Sequence, residues 1–310
     1  MESIEITNIE PLEFGANVHQ AAGISKISEG IEYEILSRNK QLDYADYINL
    51  SENVKIIGEF FDVNSAVITN EGVICAAALG TNTQEAFSKV IETDPISITG
   101  SCAGFSKEVD LETAKLLNSL KVRNVISSKF SKDAFSYLLD TNINMVVVKT
   151  PLHELQGFSS KDIKVTPFGI LVQDQNVSKL SKENFNIVSQ VKPSQEQIED
   201  AVFAWKISKH LKSSSVLIAK DLSVKAIIQG CANMMSAVEN AMDLACENSK
   251  DAVMALDCSI ENSHIINTAI QGRIGLIIES GESNKSSEIL KHADKYGLSV
   301  IFTKISNKRY

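Results

Sequence analysis

The chain has 310 residues, with 39 Asp and Glu against 30 Lys and Arg and a formal net charge of −9; only Arg38, Arg123, Arg273 and Arg309 are arginines. An acidic chain with scattered cations is unsuited to gripping a nucleic-acid backbone, so no nucleic-acid partner is expected. Scarce arginine also argues against many bidentate clamps on phosphate or carboxylate, because that planar fork is what arginine supplies.

Residues 43–61 carry helical spacing. Two apolar, β-branched runs follow, 65–70 and 73–80, separated at Glu71-Gly72 and read as a hairpin. A helix over 83–93 opens on Asn82 or Thr83 as N-cap, with Glu85 in its first turn. Strand, helix, strand, helix and strand are then predicted over 96–103, 110–120, 124–128, 132–139 and 144–150. The second half repeats this order. A helix over 194–212 is capped by Ser194, an apolar pair flanks Asp221 (214–220 and 224–230), and a helix covers 233–249. After these come a strand at 252–256, a helix near 262–271, a strand at 274–280, a helix over 286–297 ended by Gly297, and a strand at 298–304. The matching order predicts a duplicated α/β unit with helices packed on a mixed sheet. The divisions expected are a first subdomain over 1–150, a bridging segment over 151–193 and a second subdomain over 194–310. The bridge holds one clear strand, 166–176, whose apolar residues should cross or extend the sheets.

The first residues lack the apolar region of a secretory signal, and no run approaches about 18 uninterrupted apolar residues, so no membrane partner is expected. Five cysteines, Cys75, Cys102, Cys231, Cys246 and Cys258, without CxxC spacing read as reduced thiols of a cytoplasmic protein. No His/Cys/Asp/Glu cluster has metal-ligand spacing, so no metal is expected.

Three places carry chemistry. The stretch 14–20 packs Asn17, His19 and Gln20 into a loop, where they suit a small polar ligand or cap their own backbone. In 209–215, Lys209, His210, Lys212 and the serine hydroxyls, Ser214 among them, either complement a helix C-terminus or form an anion site with His210 shuttling protons. Asp257 directly follows a strand, where α/β proteins tend to place ligand-binding groups.

Several segments, in order, resemble the transformylase domain of the bifunctional purine-biosynthesis family, which formylates aminoimidazole carboxamide ribonucleotide (AICAR) and then closes the ring to inosine monophosphate. Residues 13–20 resemble its RYGxNPHQ motif, 94–100 its DPxSAFGG, 166–174 its GGLLVQ strand, 209–221 its KHVKSNAIVLAKD, 235–238 the end of GQMSRV, 254–257 its MASD, and 297–303 its GIAMIFT. The resemblance implies tandem duplicated cytidine-deaminase-like three-layer subdomains in an intertwined homodimer, with 10-formyltetrahydrofolate as co-substrate if the chain is active. The chain starts at the transformylase's first motif, so ring closure is not expected. The family's catalytic Lys-His pair lies in KHxNPCG, and a gapless alignment puts those positions at Asn70 and Glu71. The asparagine of KSN falls on Ser214, the arginines of RYGxNPHQ and QMSRV on Glu13 and Ala237, and the terminal RHFxH on 306–310. Asn cannot carry positive charge, and Glu13 would repel a nucleotide phosphate. The implied protein is a pseudoenzyme, or one with altered formyl transfer, whose ligand is nucleotide- or folate-like. The alternatives are an active formyltransferase on AICAR or a related amine, using His19, His210 and Glu71, and a non-catalytic partner subunit.

Overall fold

A computed structural model describes residues 6, 8–25, 30–37, 41–141, 144–153, 161–281 and 283–310. Arg38 lies outside the described residues. The described chain is mixed α/β with eight α-helices. It divides into two compact units, Met1–Val73 with Thr81–Phe87 and Ile96–Val177, and Ile74–Gly80 with Ser88–Pro95 and Ser178–Tyr310.

In chain order the first elements are β1 (Glu10–Leu12), β2 (Ala22–Ile24), β3 (Glu34–Ile35), α1 (Tyr44–Glu59), β4 (Asn64–Asn70), β5 (Val73–Gly80) and α2 (Thr83–Thr93). They are followed by β6 (Cys102–Phe105), α3 (Leu111–Ser119), β7 (Asn124–Ser127), α4 (Lys132–Thr141), β8 (Val146–Lys149), β9 (Lys161–Thr166) and β10 (Gly169–Asp174). The first unit orders its strands β4-β6-β7-β8-β3. β6, β7 and β8 run parallel, and β4 and β3 are antiparallel to their neighbours.

α1 starts on a capping box between Asp43 and Asp46. Both carboxylates are held by Arg123, and Asn124 donates to Asp46 at 2.7 Å. Burial raises the Asp46 pKa, but the hydrogen bonds from Arg123 and Asn124 outweigh it and the net shift is downward. The helix packs on β4, β6 and β7. There the fully buried Asn53 amide donates to Val67 O and Cys102 O, both at 3.1 Å. Gly104 must be glycine, since a Cβ would lie 1.7 Å from Asn53 Oδ1.

The second unit continues with β11 (Asn186–Ile187), α5 (Gln195–Ser208), β12 (Val216–Lys220), β13 (Ser223–Ile228), α6 (Met234–Ala245), β14 (Val253–Leu256), α7 (Ser263–Gln271), β15 (Leu276–Glu279), α8 (Ser286–Lys295) and β16 (Ser299–Phe302). Its strand order is β11-β16-β15-β14-β12-β13-β5, with β14, β15 and β16 parallel. Ile218, Met254, Ile277 and Val300 form one core with Val238 and Ala241 of α6, Ile266 of α7 and Ile289 of α8. Full burial of an aliphatic side chain of this size contributes about 1.5–3 kcal/mol.

Three expectations shift. The strand expected over 96–103 begins only at Cys102, because Gly100 takes φ +78° and Ser101 folds back to donate to Ile98 O. The helix expected to reach Lys212 ends at Ser208, and His210 and Leu211 close turns on Ile207 O and Ser208 O. Among the described residues the apolar strand of the bridge does not extend a larger sheet: β10 pairs with β9 alone, and all of its residues are exposed.

Candidate ligand site

The parallel register of β14, β15 and β16 aligns their C-terminal ends, at Leu256, Glu279 and Phe302. α6 and α7 begin at the same end, each on an asparagine N-cap. Asn233 Oδ1 accepts from Ser236 N and Asn262 Oδ1 from His264 N, both at 2.9 Å. Between these element ends lies a cavity of about 590 Å³. Met234, Met235 and Ile265 form its apolar side, and Ser259, Ser280, Ser283 and Ser306 supply hydroxyls. Lys308 and Glu261 are the charged residues among its described lining.

Two carboxyl groups are buried beside this lining. Asp257 precedes Cys258, which lines the cavity; its Oδ2 accepts from Ser215 N at 3.2 Å, while Oδ1 is buried with no hydrogen-bond partner. Glu279 precedes Ser280; its Oε2 accepts from Ile260 N at 2.6 Å, while Oε1 is likewise buried and unpartnered. Burial pushes the Glu279 carboxyl up to about 7, against the pull of backbone N–H groups from Ile260 and Gly281. The Cys258 thiol is pushed up to about 12, by burial first and then by the negative charge of Asp257. Neither carboxyl lines the cavity itself, and a buried acceptor without a donor costs about 1–3 kcal/mol.

The residues singled out from the sequence divide between the units. In the first, Asn17 and His19 sit on an exposed turn, where Gly15 N donates to Gln20 O at 2.8 Å and Asn17 Nδ2 to Gln20 Oε1 at 2.9 Å. The amides there cap their own backbone. Asn70 ends β4 and donates to Ser97 O at 3.2 Å. The exposed Glu71 (φ +51°) and Gly72 (φ +71°) make the turn into β5, held by Asn49 Oδ1 accepting from Gly72 N.

In the second unit, Asp257 is bound into the chain's last residues, since Asn307 N donates to its carbonyl at 3.0 Å. Lys209 Nζ donates to Ser178 O at 3.1 Å, and Arg309 Nη1 donates to His210 O. Lys212 is exposed; its N–H donates to Gln229 Oε1 and its carbonyl accepts from Gly230 N, while Ser214 exchanges backbone bonds with Cys231. None of Lys209, His210, Lys212 and Ser214 lines the cavity. Sequence reading missed Glu279, which the strand-end rule that picked Asp257 also covers. Among the described residues no group of three His/Cys/Asp/Glu can hold a metal, and no helix is long and apolar enough to cross a membrane.

The sequence model of the AICARFT/IMPCHase bienzyme matches residues 1–244. The chain belongs to this family. It is 31% identical to the bifunctional purine biosynthesis protein PurH of Caldicellulosiruptor saccharolyticus, over 99% of this chain and 60% of that protein. It is 28% identical to the PurH of Persephonella marina, over 97% and 59%, and 29% identical to that of Dictyostelium discoideum, over 94% and 56%. This family member therefore spans about 60% of the length of the relatives it matches. Two of its arginines are tied into the fold, Arg123 to Asp43 and Asp46 and Arg309 to His210 O. Neither they nor Arg273 lines the cavity.

Proposed function

We propose that this family member is a divergent AICAR transformylase-type protein of purine biosynthesis in which formyl transfer to AICAR is lost or altered. Its retained ligand site is the cavity of the second unit. The observation that carries the reading is the chemistry at residues 70 and 71. An amide and an exposed, turn-forming carboxylate stand where the family resemblance calls for a Lys-His pair. Neither reproduces a histidine base and its cationic lysine partner. Glu13, Ala237 and Ser306 at three arginine positions point the same way, and Ala237 is fully buried in the core.

The cavity fits a folate-like ring better than a phosphate. Its methionines and Ile265 offer an apolar wall, its hydroxyls come from Ser259, Ser280, Ser283 and Ser306, and its charged residues are one cation, Lys308, and one anion, Glu261. We read the fold as two tandem cytidine-deaminase-like units. In both, a polar residue of the leading helix holds the hairpin turn: Asn49 accepts from Gly72 N, and Asp200 from the N–H groups of Asp221 and Leu222. In both, a turn residue at positive φ precedes the second parallel strand, Lys121 and Arg273. A cytoplasmic homodimer goes with this reading. The β9–β10 hairpin exposes Val165, Phe168, Ile170, Leu171 and Val172, and a lone two-stranded hairpin is marginal in water unless something covers it.

The deciding experiment supplies purified protein with AICAR and 10-formyltetrahydrofolate and follows tetrahydrofolate release. Loss of the base and its partner predicts a rate lower by at least about 10²–10⁴-fold than that of a full-length relative. Turnover at the relative's rate refutes the proposal in favour of a rearranged active site.

A further inference from the structure

We propose that Glu279 is a positioning residue for the second unit's cavity: its carboxylate ties the 257–262 loop to the end of β15, and the ionisation of that one group sets the shape offered to a ligand. The inference rests on the cavity being the ligand site.

The geometry is specific. Glu279 is the last residue of β15 and is fully buried. One of its oxygens takes the N–H of Ile260, which lies between the lining residues Ser259 and Glu261, and Gly281 N–H also acts on the carboxylate. Ser259 and Ser280 hydroxyls meet at 2.8 Å across the same seam. Both walls of the cavity therefore meet at this seam, and Glu279 holds its buried side.

The first unit shows what the fold alone requires at this place. There the last residue of β7 is Ser127, whose hydroxyl holds the loop after β6 by donating to Lys107 O at 2.8 Å. A neutral hydroxyl does that structural work. A buried carboxyl in the corresponding place carries a desolvation cost that a tie alone does not need. What the carboxyl adds is a charge that can be switched. When ionised it holds the Ile260 N–H by a charge-assisted bond, roughly twice as strong as a neutral one. When protonated it accepts weakly and gains a donor hydrogen.

Burial puts the switch near neutrality. The charged or titratable groups of the neighbouring element ends are Asp257 and Cys258 after β14, Lys304, Lys308, Arg309 and Tyr310 after β16, and Lys209, His210 and Lys212 after α5. Glu261 stands before α7, and Lys285 and Glu288 stand at the start of α8. Of these, Asp257 is the other buried carboxyl with an unpaired oxygen.

Amide hydrogen exchange of the peptide covering 257–262, corrected for intrinsic rates, reads the tie without any ligand. Local opening of this loop breaks the bond while Glu279 stays buried, so in exchange that does not pass through global unfolding wild type should be protected about fivefold more at about pH 8 than at about pH 6, matching the extra strength of a charge-assisted bond. Glu279→Gln keeps an acceptor oxygen and should show no such change, and Glu279→Ala should lose protection at both pH values. Equal pH dependence in wild type and Glu279→Gln overturns the proposal. Calorimetric titration with folic acid, and separately with AICAR, reads positioning. Affinity should follow the exchange in wild type and be flat with pH in Glu279→Gln, whereas pH-independent affinity in wild type overturns the proposal. If wild type takes up neither probe, the ligand reading on which this rests is refuted, and the exchange result stands or falls by itself.

Discussion

In the first unit, the residues that finish or follow β6, β7 and β8 include Ser106, Ser127 and Thr150, and each hydroxyl is used by the fold. Ser106 Oγ donates to Val63 O, Ser127 Oγ to Lys107 O and Thr150 Oγ1 to Glu32 O, at 2.5, 2.8 and 2.8 Å. In the second unit, the corresponding places after β14, at the end of β15 and after β16 hold Asp257, Glu279 and Thr303. The backbone bonds correspond, with Thr150 N donating to Ser127 O and Thr303 N to Glu279 O. The side chains do not, because Asp257 and Glu279 each keep an oxygen buried and unpaired. Closed neutral contacts mark a strand end that only supports the fold. Unsatisfied carboxyls beside a cavity mark one held ready for something else.

The strongest way to break this comparison is to exchange the two chemistries. Ser127→Glu puts a carboxylate into a fully buried place built for a hydroxyl. It should cost at least about 3 kcal/mol of stability at neutral pH, read from the urea midpoint. A loss below about 1 kcal/mol would mean that the first unit tolerates the same charge, and that Glu279 carries no special meaning.

The reverse change sharpens it. The folded pKa of Glu279 is raised to about 7 from an ordinary 4.5. A carboxyl raised on folding stabilises most below its unfolded pKa, and that contribution fades as pH climbs through the folded value. Glu279→Gln stays neutral throughout. Its stability should therefore match wild type near about pH 4 and exceed it by on the order of 3 kcal/mol near about pH 8, the gap opening between about 4.5 and 7. Paired urea titrations across that range measure it directly. Asp46 has the opposite sign, its net pKa being lowered in the fold. It destabilises both proteins alike at low pH and drops out of the difference.

Much of the fold was legible because its signals are local. The helix over 83–93 could be placed from Asn82 and Glu85, and Asn82 Oδ1 does accept from Glu85 N at 2.8 Å. Gly297 ends α8 at φ +72°, as a residue following a helix C-terminus should. The late start of β6 was hidden because Ile96 and Ile98 look like strand residues, while Gly100 decides the backbone and leaves Ile96 exposed. β9 escaped notice because its Lys and Asp residues mask a modest alternation. The cavity was harder still. Serines read as turn formers from sequence, and only the parallel register brings Ser259, Ser280 and Ser306 together from three strand ends. Burial, which gives Glu279 its meaning, has no signature in a single sequence.

The weakest perturbation tests the other candidate place. Asn17 lies on an exposed turn whose bonds, among the described residues, close within 15–20, with Gln20 Oε1 taking both Asn17 N and Asn17 Nδ2. Losing one such local bond in water exchanges it for solvent, so Asn17→Ala should shift stability by no more than about 0.5 kcal/mol. If this turn only shapes its own backbone, the variant should also bind folic acid and AICAR as wild type does. A large loss of either affinity with stability unchanged would give the turn a ligand role that its internal bonds do not require, and the contrast between closed strand ends in the first unit and open ones in the second would then no longer locate the ligand site.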